Sequence, residues 1–172
     1  MKIIVAAIFL LSSYAVKAQT FPQDWLGHWK GELNWYQGAN KEPKKVPMQL
    51  NIQPTDSSRQ FLWQLTYGAD AADNRPYTLT AVDTAKGHWR IDENNGIVLD
   101  QYWVAGKLSG AFTVQSSTIV NNYWLENDQL HVEFYNISAK PVAVTGSGTN
   151  ESPSVSSYQV KSYQKAILSR SK

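Results

Sequence analysis

Three histidines, His28, His88 and His131, are the first places to look for metal or proton-transfer chemistry. No two of them stand at a spacing that metal ligands use, and no carboxylate motif accompanies any of them. Carboxylates occur as Asp92-Glu93, Asp100, Glu126, Asp128 and Glu133. Glycosidic hydrolysis needs two facing carboxyl groups at a set separation, and most of these sit beside turns, where charge is expected anyway. The serines lack a Gly-x-Ser-x-Gly setting for a nucleophile. There is no cysteine, which excludes disulfides, thiolate-held metal and lipid attachment through a processed N-terminal cysteine. The sequence therefore predicts no catalytic residue, no metal site and no cofactor. What the chain does have is aromatic side chains: seven Trp, nine Tyr and five Phe in 172 residues.

Elements that could position those rings follow a period of two. Trp29, Gly31, Leu33 and Trp35 alternate with His28, Lys30, Glu32 and Asn34. Residues 46–53 alternate in the same way, with Met48 and Leu50 on one face, and residues 60–67 gather Phe61, Trp63, Leu65 and Tyr67. Shorter runs follow at 77–81, 89–91, 97–104, 108–114, 119–126 and 130–135, with a last one at 158–168. Such alternation marks half-buried antiparallel strands. Turn residues separate the runs, among them Asn94-Asn95-Gly96, Ala105-Gly106 and Glu126-Asn127-Asp128. The spacings predict a meander of about ten strands and no long helix. Closing the meander on itself removes exposed edges, so an antiparallel barrel is the expected architecture. One segment, 138–157, is rich in Gly, Ser, Thr and Pro and reads as a flexible loop.

The N-terminus carries Lys2, an apolar stretch from Ile3 to Leu11 and a Val16-x-Ala18 site, the pattern of a signal peptide spanning residues 1–18. Removing 18 residues from 172 leaves a 154-residue single domain at 19–172, expected to be secreted or periplasmic. Lys2 and Lys17 both lie in the leader, so 14 basic residues face 14 acidic ones in the remainder. A neutral chain without a basic run offers no footprint for nucleic acid, and the leader is too short to span a bilayer.

The run Asp24-Trp25-Leu26-Gly27-His28-Trp29-Lys30-Gly31 opens this series of strands. A Gly27-x-Trp29 start to an all-β chain of this length resembles the first strand of the calycin barrels: lipocalins, fatty-acid-binding proteins, avidins and nitrobindin-like haem barrels. The resemblance implies that Trp29 plugs the closed end of a barrel. It further implies that a basic side chain from the last strand, Arg170 or else Lys165, crosses over its indole. The expected interior comprises Trp35, Met48, Leu50, Trp63, Tyr77, Trp103, Phe112, Tyr123 and Phe134. It would enclose a small apolar molecule, with Gln101 or the Tyr77 and Tyr123 hydroxyls as polar handles. Two alternatives stand beside this reading. A solid barrel could meet a cell-envelope protein through exposed Tyr36, Tyr102, Trp124 and Tyr135. The nitrobindin-like resemblance would allow His131 or His88 to ligate haem, although His131 alternates with the apolar residues of its strand and so points outward.

Overall fold

The computed structural model describes residues 20–69 and 73–171; the leader at 1–18 lies outside them. Ten strands close into one antiparallel barrel. They are β1 (Gly27–Gln37), β2 (Lys44–Pro54), β3 (Gln60–Tyr67), β4 (Asp73–Asp83), β5 (His88–Asp92), β6 (Val98–Val104), β7 (Lys107–Val114), β8 (Ser117–Glu126), β9 (Gln129–Ser138) and, after a small ribbon, β12 (Val160–Ser171). Each strand pairs with its sequence neighbour, and β12 seals the ring against β1 from His28↔Ser171 to Gln37↔Ser162. Short hairpins make this possible. Asn127 and Asp128 both adopt positive φ between β8 and β9, as do Ala105 and Gly106 between β6 and β7, which suits the twist of the flanking strands.

Two details depart from the sequence reading. Segment 138–157, predicted as a flexible loop, contains a two-stranded ribbon, β10 (Ala143–Thr145) with β11 (Val155–Ser157). Its β-branched Val144, Thr145 and Val155 supply strand character that the overall Gly/Ser/Pro composition hid. The last strand also runs on to Ser171, beyond the predicted end at Leu168, which brings Arg170 into register with Trp29.

One end of the barrel is stoppered by the chain entering it. Residues 20–26 fold under the strands around a 3-10 turn, Gln23–Trp25, which buries Trp25 completely. The Trp29 indole N–H donates to the Trp25 carbonyl at 2.8 Å. The Arg170 guanidinium lies 4.1 Å from the Trp29 ring and donates to the carbonyls of Asp24 and Leu26. Gly27 has φ +129°, and a Cβ there would stand 2.8 Å from the Arg170 guanidinium, so this crossing requires glycine. Lys165, the other candidate, is exposed on the outer wall.

Above the stopper, Leu50, Ile52, Trp63, Leu79, Leu108, Leu130, Val132 and Leu168 are all fully buried and belong to one hydrophobic cluster. Each alternates with an outward neighbour, as the period-two pattern requires.

Candidate functional site

Interior residues at the opposite, open end do not meet across the barrel. They enclose a cavity of about 910 Å³. Leu33 and Trp35 reach it from β1, Val46 from β2, Tyr67 from β3, Asp73 and Arg75 from β4, and Leu99 from β6. Phe112, Ile119 and Phe134 form the facing apolar wall from β7, β8 and β9, with Asn136 and Gln164 beside them. Ile97, Val98 and Val114 stand exposed at the rim.

Charge at the mouth is balanced. Arg75 donates to both oxygens of Asp73, at 2.9 and 2.7 Å, and its guanidinium lies 5.1 Å from the Tyr67 ring. Those hydrogen bonds hold the Asp73 carboxyl below its usual range and push the Arg75 guanidinium further up. Lys44 and Glu93 complete the rim; the Lys44 ammonium is solvent-exposed, 5.8 Å from the Trp35 ring. Burial raises the phenols of Tyr67, Tyr77 and Tyr123, so all three are neutral hydroxyls near neutral pH.

The floor of the cavity is where the packed half begins. The Tyr123 ring meets Trp63 edge-on at 5.2 Å and Phe134 at 5.8 Å. Beside Phe134, Asn121 donates to the Gln101 carbonyl at 2.7 Å, and Gln101 returns a longer bond at 3.5 Å. Both amides are buried, and Gly110 makes room for the Gln101 carboxamide, since a Cβ there would collide with it.

All the sequence-predicted interior residues lie on the inner wall, but at different depths. Trp35, Phe112 and Phe134 line the cavity, while Tyr123 forms its floor. Met48, Leu50 and Trp63 are fully buried core, and Tyr77 packs against that core half-buried. Gln101, expected as a polar handle, is buried outside the cavity lining and shares its carboxamide with Asn121. Trp103 sits at the other end. Its ring stacks on Phe21 at 4.7 Å and borders a separate cleft of about 380 Å³ with Trp89, Phe61 and Arg59. Sequence reasoning put Tyr67 on the Trp63 face but not in the site, and it missed Arg75, Asn136 and Gln164. Each shares the inward parity of a recognised neighbour, with Trp63, Tyr77, Phe134 and Leu168 respectively.

The histidines face outward. His88 stacks on Tyr102 at 5.0 Å and contacts Asp100 at 2.7 Å, while His131 stacks on Trp124 at 4.9 Å. Neither reaches the cavity, so the haem alternative finds no imidazole there among the described residues. Nor does any cluster of His, Cys, Asp or Glu among those residues suit a metal ion. The aromatics expected on the outside do not form one patch, and Tyr36 and Trp124 are half-buried. Tyr36 and Tyr135 flank Tyr163 at 6.0 and 4.8 Å, whereas Tyr102 and Trp124 belong to the separate histidine stacks. No helix among the described residues is long and apolar enough to cross a membrane.

No family model and no curated protein matches this chain. A crystal structure does: a DUF3598-family protein of unknown function from Nostoc punctiforme PCC 73102. It aligns with TM-score 0.60 and 16% identity over 87% of this chain and 48% of that one. The chain thus spans about half the length of that neighbour, and the likeness is one of fold. Together they define an all-β protein built on a closed ten-strand antiparallel meander barrel, stoppered at one end and open at the other.

Proposed function

We propose that this chain is an exported, calycin-like binding protein that holds one small, mostly apolar molecule in the open half of its barrel, and that it is not an enzyme. The cavity carries this reading: about 910 Å³, walled by Trp35, Phe112, Ile119 and Phe134, above a core that is otherwise tightly packed. That volume falls within the range of sites that bury a small organic ligand. Apolar surface transferred from water to such walls contributes roughly 25 cal/mol per Å², and a rigid barrel wall spends little of that on ordering itself. The Trp29–Arg170 crossing and the meander topology support calycin-like kinship; the leader pattern supports export.

The test is displacement of a fluorescent naphthyl dye by a panel of lipids and aromatic amphiphiles. Saturable one-to-one binding is expected, and Ile119→Trp, which pushes a larger ring into the cavity, should weaken it at least about tenfold with the fold intact. Absence of saturable binding by every member would refute the carrier reading.

A second reading has its own observation. The Tyr36–Tyr163–Tyr135 group lies on the outer wall, and Val142, Val144, Val155 and Val160 are exposed on and beside the ribbon. These features suit contact with an envelope protein. Unchanged partner capture by Ile119→Trp, alongside loss through Tyr135→Ser, would favour it.

A further inference from the structure

The cavity is short along the barrel. Leu33 and Trp35 line it from β1 and Phe134 and Asn136 from β9, and no strand supplies more than two inward-facing lining residues. Below this lining the next inward residues, Met48 on β2, Asn121 on β8 and Val132 on β9, are already buried in the packed half. Successive inward residues stand about 7 Å apart along a strand, and strand tilt shortens that step along the barrel axis. A wall two residues tall therefore rises only about 10 Å, side-chain reach included.

At the same level the barrel is wide. Ten strands about 4.8 Å apart, tilted by roughly 40°, set facing backbones about 20 Å apart before side chains fill in. The enclosed volume of about 910 Å³ then requires a space about as broad as it is deep. Aromatic rings stand on both sides of it. Tyr67 comes from β3, and β8 lies across the ring from β3. There Phe112 and Phe134, on the two strands beside β8, flank Ile119. The Tyr123 ring closes the floor.

A flexible alkyl chain fits such a space only by coiling, and each bond fixed in that coil costs conformational entropy. A rigid slab loses little, and it can lay faces and edges against the rings on either side. Resting on the carrier reading above, we infer that the ligand is a compact, rigid fused-ring molecule, about as broad as it is long, rather than a lipid with an extended acyl tail. Cavity shape thereby sets specificity, while apolar contact supplies most of the affinity.

Three neutral alcohols separate shape from hydrophobicity: pyrenemethanol is compact and rigid, terphenylmethanol long and rigid, and tetradecanol long and flexible. Each is competed against the naphthyl dye. Burial of apolar surface alone would favour the two longer molecules, which carry more of it. The cavity shape instead predicts that pyrenemethanol binds about tenfold tighter than either. Ile119→Trp, which narrows the space opposite Tyr67, should weaken pyrenemethanol about tenfold and the pliable tetradecanol less than about threefold. If terphenylmethanol or tetradecanol binds as tightly as pyrenemethanol, or if Ile119→Trp weakens the rigid and flexible alcohols alike, the shape assignment is overturned while the carrier reading stands. If neither the dye nor any alcohol binds the unaltered protein, the carrier reading falls and this inference with it.

Discussion

The two halves of the barrel use the same alternating strands and the same residue types to opposite ends. Near the stopper, Trp25, Trp29 and Trp63 are entirely buried and interdigitate with leucine and isoleucine. Near the mouth, Trp35 and Phe134 stand on the same inner face as Trp29 and Leu130, yet border open volume. Trp29 and Trp35 are six residues apart on β1, about 20 Å along an extended strand. That distance separates a residue that stabilises the fold from one placed to bind. The stopper itself makes the difference: Phe21 and Trp25 fill one end from below, and nothing equivalent among the described residues enters the other.

The largest expected contrast comes from removing each indole. Trp29→Ala should cost about 3–5 kcal/mol, as for other large core truncations, because Trp25, Leu50 and Arg170 would border a void. Trp35→Ala should cost less than about 2 kcal/mol, since one side of its ring already faces the cavity, but should reduce dye affinity severely. Urea denaturation read by circular dichroism checks both. Equal costs would erase the distinction between the halves.

A middle-sized effect sits at their boundary. Gln101→Leu leaves the Asn121 amide buried and unpaired, which should cost about 1–3 kcal/mol. The double change Gln101→Leu with Asn121→Leu should recover part of that loss. A larger loss in the double variant would mean that the pair matters as packing rather than as a hydrogen-bonded floor.

Much of this could be read in the sequence, and the limits have a physical cause. Alternation tells whether a side chain points in or out, and the inward residues from Trp35 to Phe134 were identified that way. Closure was legible too, because Gly27-x-Trp29 and Arg170 mark a contact between the first and last strands. Alternation carries no information about depth, however. Met48, Leu50 and Trp63 share parity with the cavity residues but lie in the packed half, and Trp103 belongs to the cleft beside Phe21. Arg75 and Asn136 fall just outside the runs read as strands at 77–81 and 130–135, and Gln164 is a polar residue within the run 158–168, so none entered the expected interior although their parity is inward. Gln101 looked like a handle because its partner Asn121 is twenty residues away in sequence.

The smallest expected effect concerns alkaline pH and again falls at the boundary. Tyr123 is buried and its phenol is pushed well above the ordinary value by desolvation. The folded protein therefore holds this proton more tightly than the unfolded chain. The resulting stability is fully present below about pH 10, the unfolded phenol's pKa, and is lost as pH rises from there through the folded value. Tm should fall from about pH 10 upward, and Tyr123→Phe should make that decline shallower. An identical decline in Tyr123→Phe would assign the effect to other groups.

The most direct test of a packed half beneath a binding half is the indole N–H region of a ¹H–¹⁵N spectrum, where the chain's seven tryptophans give seven signals. On titration with the naphthyl dye, the Trp35 signal should move saturably while those of Trp25, Trp29 and Trp89 stay in place. A ligand that binds yet leaves Trp35 unmoved, or that shifts the stopper indoles as much, would contradict the account.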